Sequence, residues 1–237
     1  MHVAHKGNAL TTLLDTIVMP KGAFESIRVA PTWALALAMA IVIGAVSAYV
    51  IIPAVQHASA GSLAHKIATD PVLMQMTPEQ QQHLLAMEQK STENSWVFVV
   101  MNVPLGALFA AAILLIFDKL GDGAGTFAKY WSAACNIAVV VAIGSAVKAV
   151  IVLLRGTDSF QITQDLQHLV PSLIMLAPGA SAKVGVFLSA ITPFTLWACA
   201  LNALALRVIG NTRPVLAWAG AAVLLLLPAV LASLATR

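Results

Sequence analysis

Residues 130–154, YWSAACNIAVVVAIGSAVKAVIVLL, decide the class of fold. Lys148 is the only charged side chain in this stretch. The hydrocarbon core of a bilayer is about 30 Å thick, and about 20 apolar residues cross it as a helix. The stretch is therefore long and apolar enough to predict a helix that crosses a membrane.

The apolar composition extends over the whole chain. Hydrophobic residues make up 59% of the 237 residues, charged residues only 10%, and the mean hydropathy is +0.88. Soluble domains carry about 25% charged residues, so this chain has too few to cover a water-facing surface, and we expect an integral membrane protein. The net charge of +3 comes from basic residues at the ends of apolar segments, which favours membrane orientation over nucleic-acid binding.

Five apolar segments are long enough to cross a bilayer. They are residues 32–54, 96–117, 130–154, 183–207 and 214–235. Pro193 and Pro228 lie inside the last two segments, where each predicts a kink. The predicted fold class is an all-α membrane protein with five transmembrane helices and an N-terminal amphipathic helix.

The positions of lysine and arginine predict the orientation of the chain. Cytoplasmic loops of membrane proteins are enriched in both residues. The two short loops between spans carry most of this signal, with Lys119, Lys129, Arg207 and Arg213. We therefore expect a cytoplasmic N-terminus and, after five spans, a C-terminus on the opposite side.

Residues 1–31 form the predicted cytoplasmic N-terminal segment. Between residues 8 and 28, apolar side chains recur at helical spacing and polar side chains occupy the other face. This pattern is typical of an amphipathic helix in the membrane interface. A helix packed under the bundle has the same pattern, so both positions stay open.

Residues 32–237 form the predicted five-helix membrane domain, and the longest polar insertion in it is at about 56–95. We expect this insertion on the outer side. Thr77 and Gln80 stand three positions apart, with Pro78 between them, as in a capping box with proline at the first helical position. The insertion is therefore predicted to contain a short outer helix.

Two glycine turns separate predicted spans. GDGAGTF at 121–127 contains Gly121, Gly123 and Gly125, and IGNTRP at 209–214 contains Gly210. The first turn lacks the lysine of a Walker loop, and its glycine spacing differs from a dinucleotide fingerprint. We interpret both turns as sharp reversals in which glycine permits a positive φ.

The sequence contains no catalytic signature. The patterns H-E-x-x-H and G-x-S-x-G are absent. No common zinc spacing fits the four histidines of the predicted outer segments, His57, His65, His83 and His168. We expect no cofactor, no metal ion and no enzymatic activity.

Four polar side chains inside the predicted spans are candidate functional residues, namely Lys148, Asn102, Asn136 and Asn202. Lys148 lies about 10 Å below the outer end of its span, at a depth similar to that of Asn102. Either Lys148 snorkels to the interface, or it faces a polar cavity with Asn102. Asn136 and Asn202 lie near the inner side, where a hydrogen bond between their amides would join two helices.

Three stretches resemble the Yip1-domain family of membrane proteins. They are LLDTIVMPKGAFESIRVAP at 13–31, FDKLGDGAGTFAKYW at 117–131 and ITPFTLWACALNALALRVIGNTRPVLAW at 191–218. The positions that look most like the family are Pro20, Phe24, Pro193, Phe194 and Trp197. The resemblance implies five helices, a cytoplasmic N-terminus and no catalytic centre. The alanine-rich composition is typical of a bacterial member, which places the protein in the inner membrane.

The expected function is a non-enzymatic, membrane-organising or partner-scaffolding role of the Yip1 type. Its expected partners are membrane lipids, other proteins or a second copy of the chain, and not nucleic acid. The alternative is a small transporter or lipid-handling protein in which Lys148 and Asn102 line a cavity. A sealed interior would favour the first interpretation, and a cavity at Lys148 would favour the second.

Overall fold

The computed structural model describes residues 8–71, 73–177 and 179–235, and every regular element in these residues is a helix. In chain order the α-helices are α1 Ala9–Val18, α2 Pro20–Val29, α3 Ala34–Thr69, α4 Pro78–Glu93, α5 Ser95–Leu120, α6 Phe127–Arg155, α7 Thr163–Gln167, α8 Ala182–Ser189, α9 Pro193–Ile209 and α10 Pro214–Ala235. Residues 1–7 and 236–237, which belong to the predicted N-terminal segment and membrane domain, lie outside the described residues.

Four helices, α3, α5, α6 and α10, are each long and apolar enough to cross a membrane. Helices α8 and α9 meet the same criterion together and are bent by 58° at the short break between them. Counted as one span, this pair completes the five spans that the sequence predicts. The chain is an all-helical integral membrane protein, and the predicted fold class is confirmed.

The helix bundle has two ends, which differ in the length of their connections. The short segments 121–126 and 210–213 lie at one end, which we call the turn end. The longer segments 70–94 and 156–181 lie at the other end, which we call the loop end.

The fourth span is broken instead of kinked. Pro193 is the first residue of α9, and Thr192 caps this helix. The amide of Thr195 donates to the Thr192 hydroxyl oxygen at 3.2 Å, and the amide of Thr192 donates to the Thr195 hydroxyl oxygen at 2.8 Å. The reciprocal capping starts a new helix where proline cannot continue the old one.

The first span is longer than the predicted segment 32–54, because α3 continues through Pro53 to Thr69. The continuation packs against the loop end, where Ala54 and Ala58 form a buried cluster with Val152 and Phe160. These contacts compensate for the one backbone hydrogen bond that proline removes. The first part of the predicted insertion is thus helical.

The rest of the insertion contains the predicted outer helix, α4. The Gln80 amide donates to the Thr77 hydroxyl oxygen at 3.3 Å, and the Thr77 amide donates to Gln80 Oε1 at 2.9 Å. The predicted capping box is therefore confirmed, with Pro78 as the first helical residue.

The N-terminal segment forms two helices, α1 and α2, instead of one. Phe24 and Ile27 of α2 are fully buried against α6 and α9. Leu10, Leu14 and Val18 of α1 are exposed. The two positions that the sequence left open are therefore divided between the helices: α2 packs under the bundle, and α1 presents apolar side chains outward.

At the turn end, the carboxylate of Asp118 is fully buried and joins α5 to both turns. Its Oδ1 accepts a 3.0 Å hydrogen bond from the Thr212 hydroxyl, just before α10. Its Oδ2 accepts a 2.9 Å hydrogen bond from the Gly125 amide, just before α6. The Lys119 ammonium lies 3.7 Å from Oδ2. A buried carboxylate needs such donors because an unpaired one is costly in an apolar interior.

The turn glycines leave room for this carboxylate and for the neighbouring Tyr130. A Cβ added at Gly123 or Gly210 would overlap the Asp118 carboxylate. A Cβ added at Gly125 would lie 2.7 Å from the Tyr130 hydroxyl oxygen and would overlap the ring. Glycine is required at these positions because two turns and two side chains meet in one small space.

The positive φ angles of the reversals lie on other residues than predicted. Asp122 has a φ of 56° and Asn211 a φ of 58°, and each follows the glycine that ends a helix, Gly121 or Gly210. Asp and Asn tolerate this conformation better than most residues. Both predicted reversals are present. The prediction that the turn glycines adopt the positive φ is wrong, because Asp122 and Asn211 adopt it.

Asp118→Asn should destabilise the protein, because the amide keeps one acceptor oxygen and cannot accept from both Thr212 and Gly125. A buried donor without its acceptor costs about 1–3 kcal/mol, so the midpoint of thermal unfolding in detergent should fall. Asp122→Asn is the same change at an exposed residue of the turn and should leave the midpoint unchanged. Equal midpoints for the two variants would contradict the role assigned to Asp118.

Gly210→Ala should also lower the unfolding midpoint, because its methyl group would compete with Asp118 and Tyr130 for space. Gly22→Ala is the matched control, since an added Cβ there has no other atom within 4 Å. Alanine is favoured over glycine in a helix by about 0.5–1 kcal/mol, so Gly22→Ala should keep or raise the midpoint. The close packing at the turn end is refuted if Gly210→Ala is as stable as this control.

Candidate functional site

A cavity of about 770 Å³ lies between α3, α5, α6, α9 and α10. Ligand pockets in proteins have volumes of about 300–1,000 Å³. The wall consists mainly of alanine, valine, leucine, phenylalanine and glycine side chains. The space is thus large enough for a ligand and mostly apolar.

The cavity is long in the direction of the helix axes. Its lining residues extend from Ala134 to Lys148 on α6 and from Phe98 to Ala110 on α5. At about 1.5 Å per residue, each of these stretches is roughly 20 Å long. The hydrocarbon core of a bilayer is about 30 Å thick. The shape therefore suits a hydrocarbon chain that lies parallel to the helices.

Lys148 and Asn102 both line this cavity, as the alternative interpretation of the sequence requires. Lys148 is half-buried, and Asn102 is exposed. Within the part of the chain that the structure describes, Lys148 forms no hydrogen bond or ion pair. Its ammonium group is thus available to a ligand.

Asn202 lines the same cavity nearer the turn end and is only 8% exposed. Its Oδ1 has no hydrogen-bond partner among the described residues. The expected amide pair does not form, because Asn136 Nδ2 donates to the carbonyls of Thr32 at 2.9 Å and Ser132 at 2.8 Å. Asn136 therefore anchors the segment before α3, and Asn202 belongs to the cavity.

The turn glycines lie outside the cavity wall. The Gly123 amide donates to the Asp118 backbone carbonyl at 2.8 Å, and the Gly125 amide donates to its carboxylate at 2.9 Å. A phosphate-binding loop offers its amides to the ligand, whereas these two are used within the protein. Asp118 was not among the predicted site residues, although an acid at the end of the apolar run LLIFDKL at 114–120 was a signal for it.

The residues at family-like positions have structural roles. Pro20 begins α2, and Pro193 begins α9. Phe24 is fully buried, and Phe194 packs closely on α6. Trp197 is exposed on α9. Four of these five residues therefore position helices, and none of the five lines the cavity.

No protein-family model, curated protein or solved structure matches the chain. The resemblance to the Yip1-domain family therefore rests on the sequence motifs alone. The described residues contain no group of three or more His, Cys, Asp or Glu side chains that could hold a metal ion. The fold and the site define a class: a helical integral membrane protein with an apolar cavity between its spans.

The two cysteines should report on the cavity, because Cys199 lines it and Cys135 is fully buried. N-ethylmaleimide should modify Cys199 alone in the folded protein, and mass spectrometry should detect one adduct. Ala138→Phe places a ring in the cavity wall and should slow the labelling, whereas Ala128→Phe, on the exposed start of α6, should not. Equal labelling rates in these two variants would contradict an open cavity.

Proposed function

We propose that this integral membrane protein binds a lipid-like amphiphile with an anionic head group in the cavity between its spans. The observation that supports the proposal is Lys148, a cation without a partner in the described residues, in the wall of a long apolar cavity. An amphiphile matches both features. Its hydrocarbon chain fills the apolar length, and its head group pairs with the ammonium.

The position of Lys148 is costly unless something pairs with it. A charged side chain at mid-membrane costs about 2.5–3.5 kcal/mol on insertion scales. A hydrogen bond to a charged group contributes about 1.5–3 kcal/mol, so an anionic head group offsets much of this cost. Asn102 adds an amide donor in the same wall for a second oxygen of the head group.

The composition of the wall favours a lipid over a small polar solute. A hydrophilic solute would lose its hydration in the cavity and would find few polar groups to replace it. Lys148, Asn102 and Asn202 are outnumbered in the wall by alanine, valine and phenylalanine side chains. An apolar chain suits the same surface. Binding there is favourable relative to water, or relative to the disordered contacts that the chain makes in the lipid. The alternative interpretation of the sequence named a transporter or a lipid-handling protein. Of these two, we propose lipid handling.

A second role, contact with the membrane surface or with a partner, is supported by α1. Leu10, Leu14 and Val18 present an exposed apolar face, and Lys21 and Arg28 are exposed on the adjoining α2. An apolar face beside cations suits an interface with anionic lipids. A protein partner or a second copy of the chain would use the same face for a scaffolding role.

The proposal also includes the orientation of the chain, its membrane compartment and its family. The cations at the turn end, Lys119, Lys129, Arg207 and Arg213, support a cytoplasmic position for that end and for the N-terminus. The alanine-rich composition supports a bacterial inner membrane. Membership in the Yip1-domain family and a non-enzymatic role are supported by the sequence motifs.

Lys148→Leu should weaken the binding of a fluorescent anionic phospholipid to the purified protein. Loss of a hydrogen bond to a charged group, about 1.5–3 kcal/mol, corresponds to a rise in Kd of roughly ten- to a hundredfold. Lys148→Arg keeps the charge and should retain most of the affinity. Lys183→Leu removes a charge from an exposed residue of α8 outside the cavity wall and should leave Kd unchanged.

Two results would oppose this proposal. Equal affinities of the Lys148→Leu and Lys183→Leu proteins for the anionic lipid would exclude a head-group contact at Lys148. Loss of inorganic phosphate binding in Lys148→Leu, with lipid binding intact, would favour transport of a small anion instead.

A further inference from the structure

Helices α5 and α10 run antiparallel and meet at the turn end. Phe117 of α5 packs on Gly220 of α10, with its Cγ 2.9 Å from the position that an added Cβ would take. Leu216 of α10 lies against Gly121 of α5, with its Cδ1 3.2 Å from the corresponding position. These two contacts fix which residues of the two helices lie at the same level.

The alignment of α5 and α10 given by these two contacts, which we call their register, identifies the residues that face each other nearer the loop end. Phe109 lies level with Pro228, and both line the cavity. Phe98 is 61% exposed and Phe109 48% exposed, although both belong to the cavity wall. Asn102 on α5 and Ala232 on α10 are likewise exposed lining residues. The wall is therefore open along the loop halves of α5 and α10.

The lining residues of α3 and α9 are buried or half-buried. Ala40 and Gly44 of α3 line the cavity and are buried, and so are Ala198 and Asn202 of α9. Helix α6 forms the back of the cavity and packs against α3, α5 and α9. Apart from Val141 of α6, the exposed lining residues all lie on α5 and α10.

Two features of the sequence explain the asymmetry between the ends. Asp118 joins the turns at one end and holds α5, α6 and α10 together there. In the loop half, α5 contains Pro104 and α10 contains Pro228. Each proline removes a backbone hydrogen bond and permits a helix to bend. The helices are fixed at the turn end and can diverge towards the loop end.

We propose that the cavity opens sideways through this α5–α10 gap, bounded by Phe98, Asn102, Phe109, Pro228 and Ala232, into the leaflet at the loop end. The bound amphiphile exchanges with the lipids of that leaflet. This inference rests on the proposed function, because it names the source of the same ligand.

The depth of Lys148 agrees with this route. Lys148 lies about 10 Å below the loop end of α6 at Arg155. A lipid that enters from the leaflet at the loop end can place its head group near the ammonium without inverting, while its chain extends towards Asn202. A lipid of the opposite leaflet would have to carry its head group across the apolar part of the cavity, at the cost of desolvation.

A cross-link over the gap tests the route. Leu105 and Ala232 lie level with each other in the register and are both exposed. Leu105→Cys with Ala232→Cys, in a Cys199→Ala background, can be joined by a bismaleimide that has a reducible linker. A matched control joins Leu120→Cys with Val215→Cys, two exposed residues at the turn end, where the helices already meet.

The readout is the exchange of bound fluorescent anionic phospholipid between the reconstituted protein and lipid vesicles. The cross-link over the gap should slow exchange about tenfold or more without releasing the bound lipid, as expected when an access path is closed. Reduction of the linker should restore the rate. The turn-end cross-link should leave the rate unchanged.

The outcomes separate this inference from the proposed function. Exchange at the uncross-linked rate with the gap joined would overturn the lateral route and leave lipid binding intact. Absence of bound lipid in the uncross-linked protein would overturn the proposed function itself.

Phe109→Ala offers an independent variant that needs no cross-link. It removes a ring from the edge of the gap, and exchange should become severalfold faster with Lys148 unchanged. Fluorescent lipid confined to the leaflet at the turn end should load more slowly than lipid confined to the leaflet at the loop end. Equal loading from both leaflets, together with an unchanged rate in Phe109→Ala, would contradict the proposal.

Discussion

Asp118 connects three helices at the turn end, where both short turns reach its carboxylate. Its two oxygens accept from a hydroxyl before α10 and from an amide before α6, while the residue itself lies in the last turn of α5. Apolar burial does not hold helices together in lipid, so directed polar contacts and close packing must do so. The glycines at positions 123, 125 and 210 make this contact possible because they leave the volume that the carboxylate and Tyr130 occupy. The arrangement of the remaining spans follows from this closed end.

A bundle fixed at one end can leave space at the other. The turn end contains several large, fully buried side chains besides Asp118, including Tyr130, Leu114 and Leu206. Towards the loop end, prolines interrupt the hydrogen bonding of α5 and α10. The cavity lies between these regions. Lys148 is tolerated beside the cavity because the cavity leaves space for its ammonium, which can extend towards the head-group region.

Hydropathy and local turn chemistry predict much of this fold, since both depend on neighbouring residues. The spans, the reversals at Gly121 and Gly210 and the cap at Thr77 are of this kind. The extension of α3 depends on contacts between distant segments, such as Ala58 with Phe160. Part of the site was predictable, because Lys148 and Asn102 share a depth. The separation of Asn136 from Asn202 was not, since depth does not specify which face of a helix meets which neighbour.

The small side chains on the cavity wall bear on the choice between a scaffold and a ligand-binding protein. Alanine and glycine residues usually bring helices into contact, and Ala36 of α3 and Ala133 of α6 are buried in this way. Ala138, Ser145 and Gly106 instead face the cavity. Atoms that line an empty space have no neighbours on that side and lose dispersion contacts there. A bundle that only had to pack would gain dispersion energy from leucine or phenylalanine at these positions. Small residues around Lys148, which has no partner among the described residues, therefore support the proposed ligand over a role in packing alone.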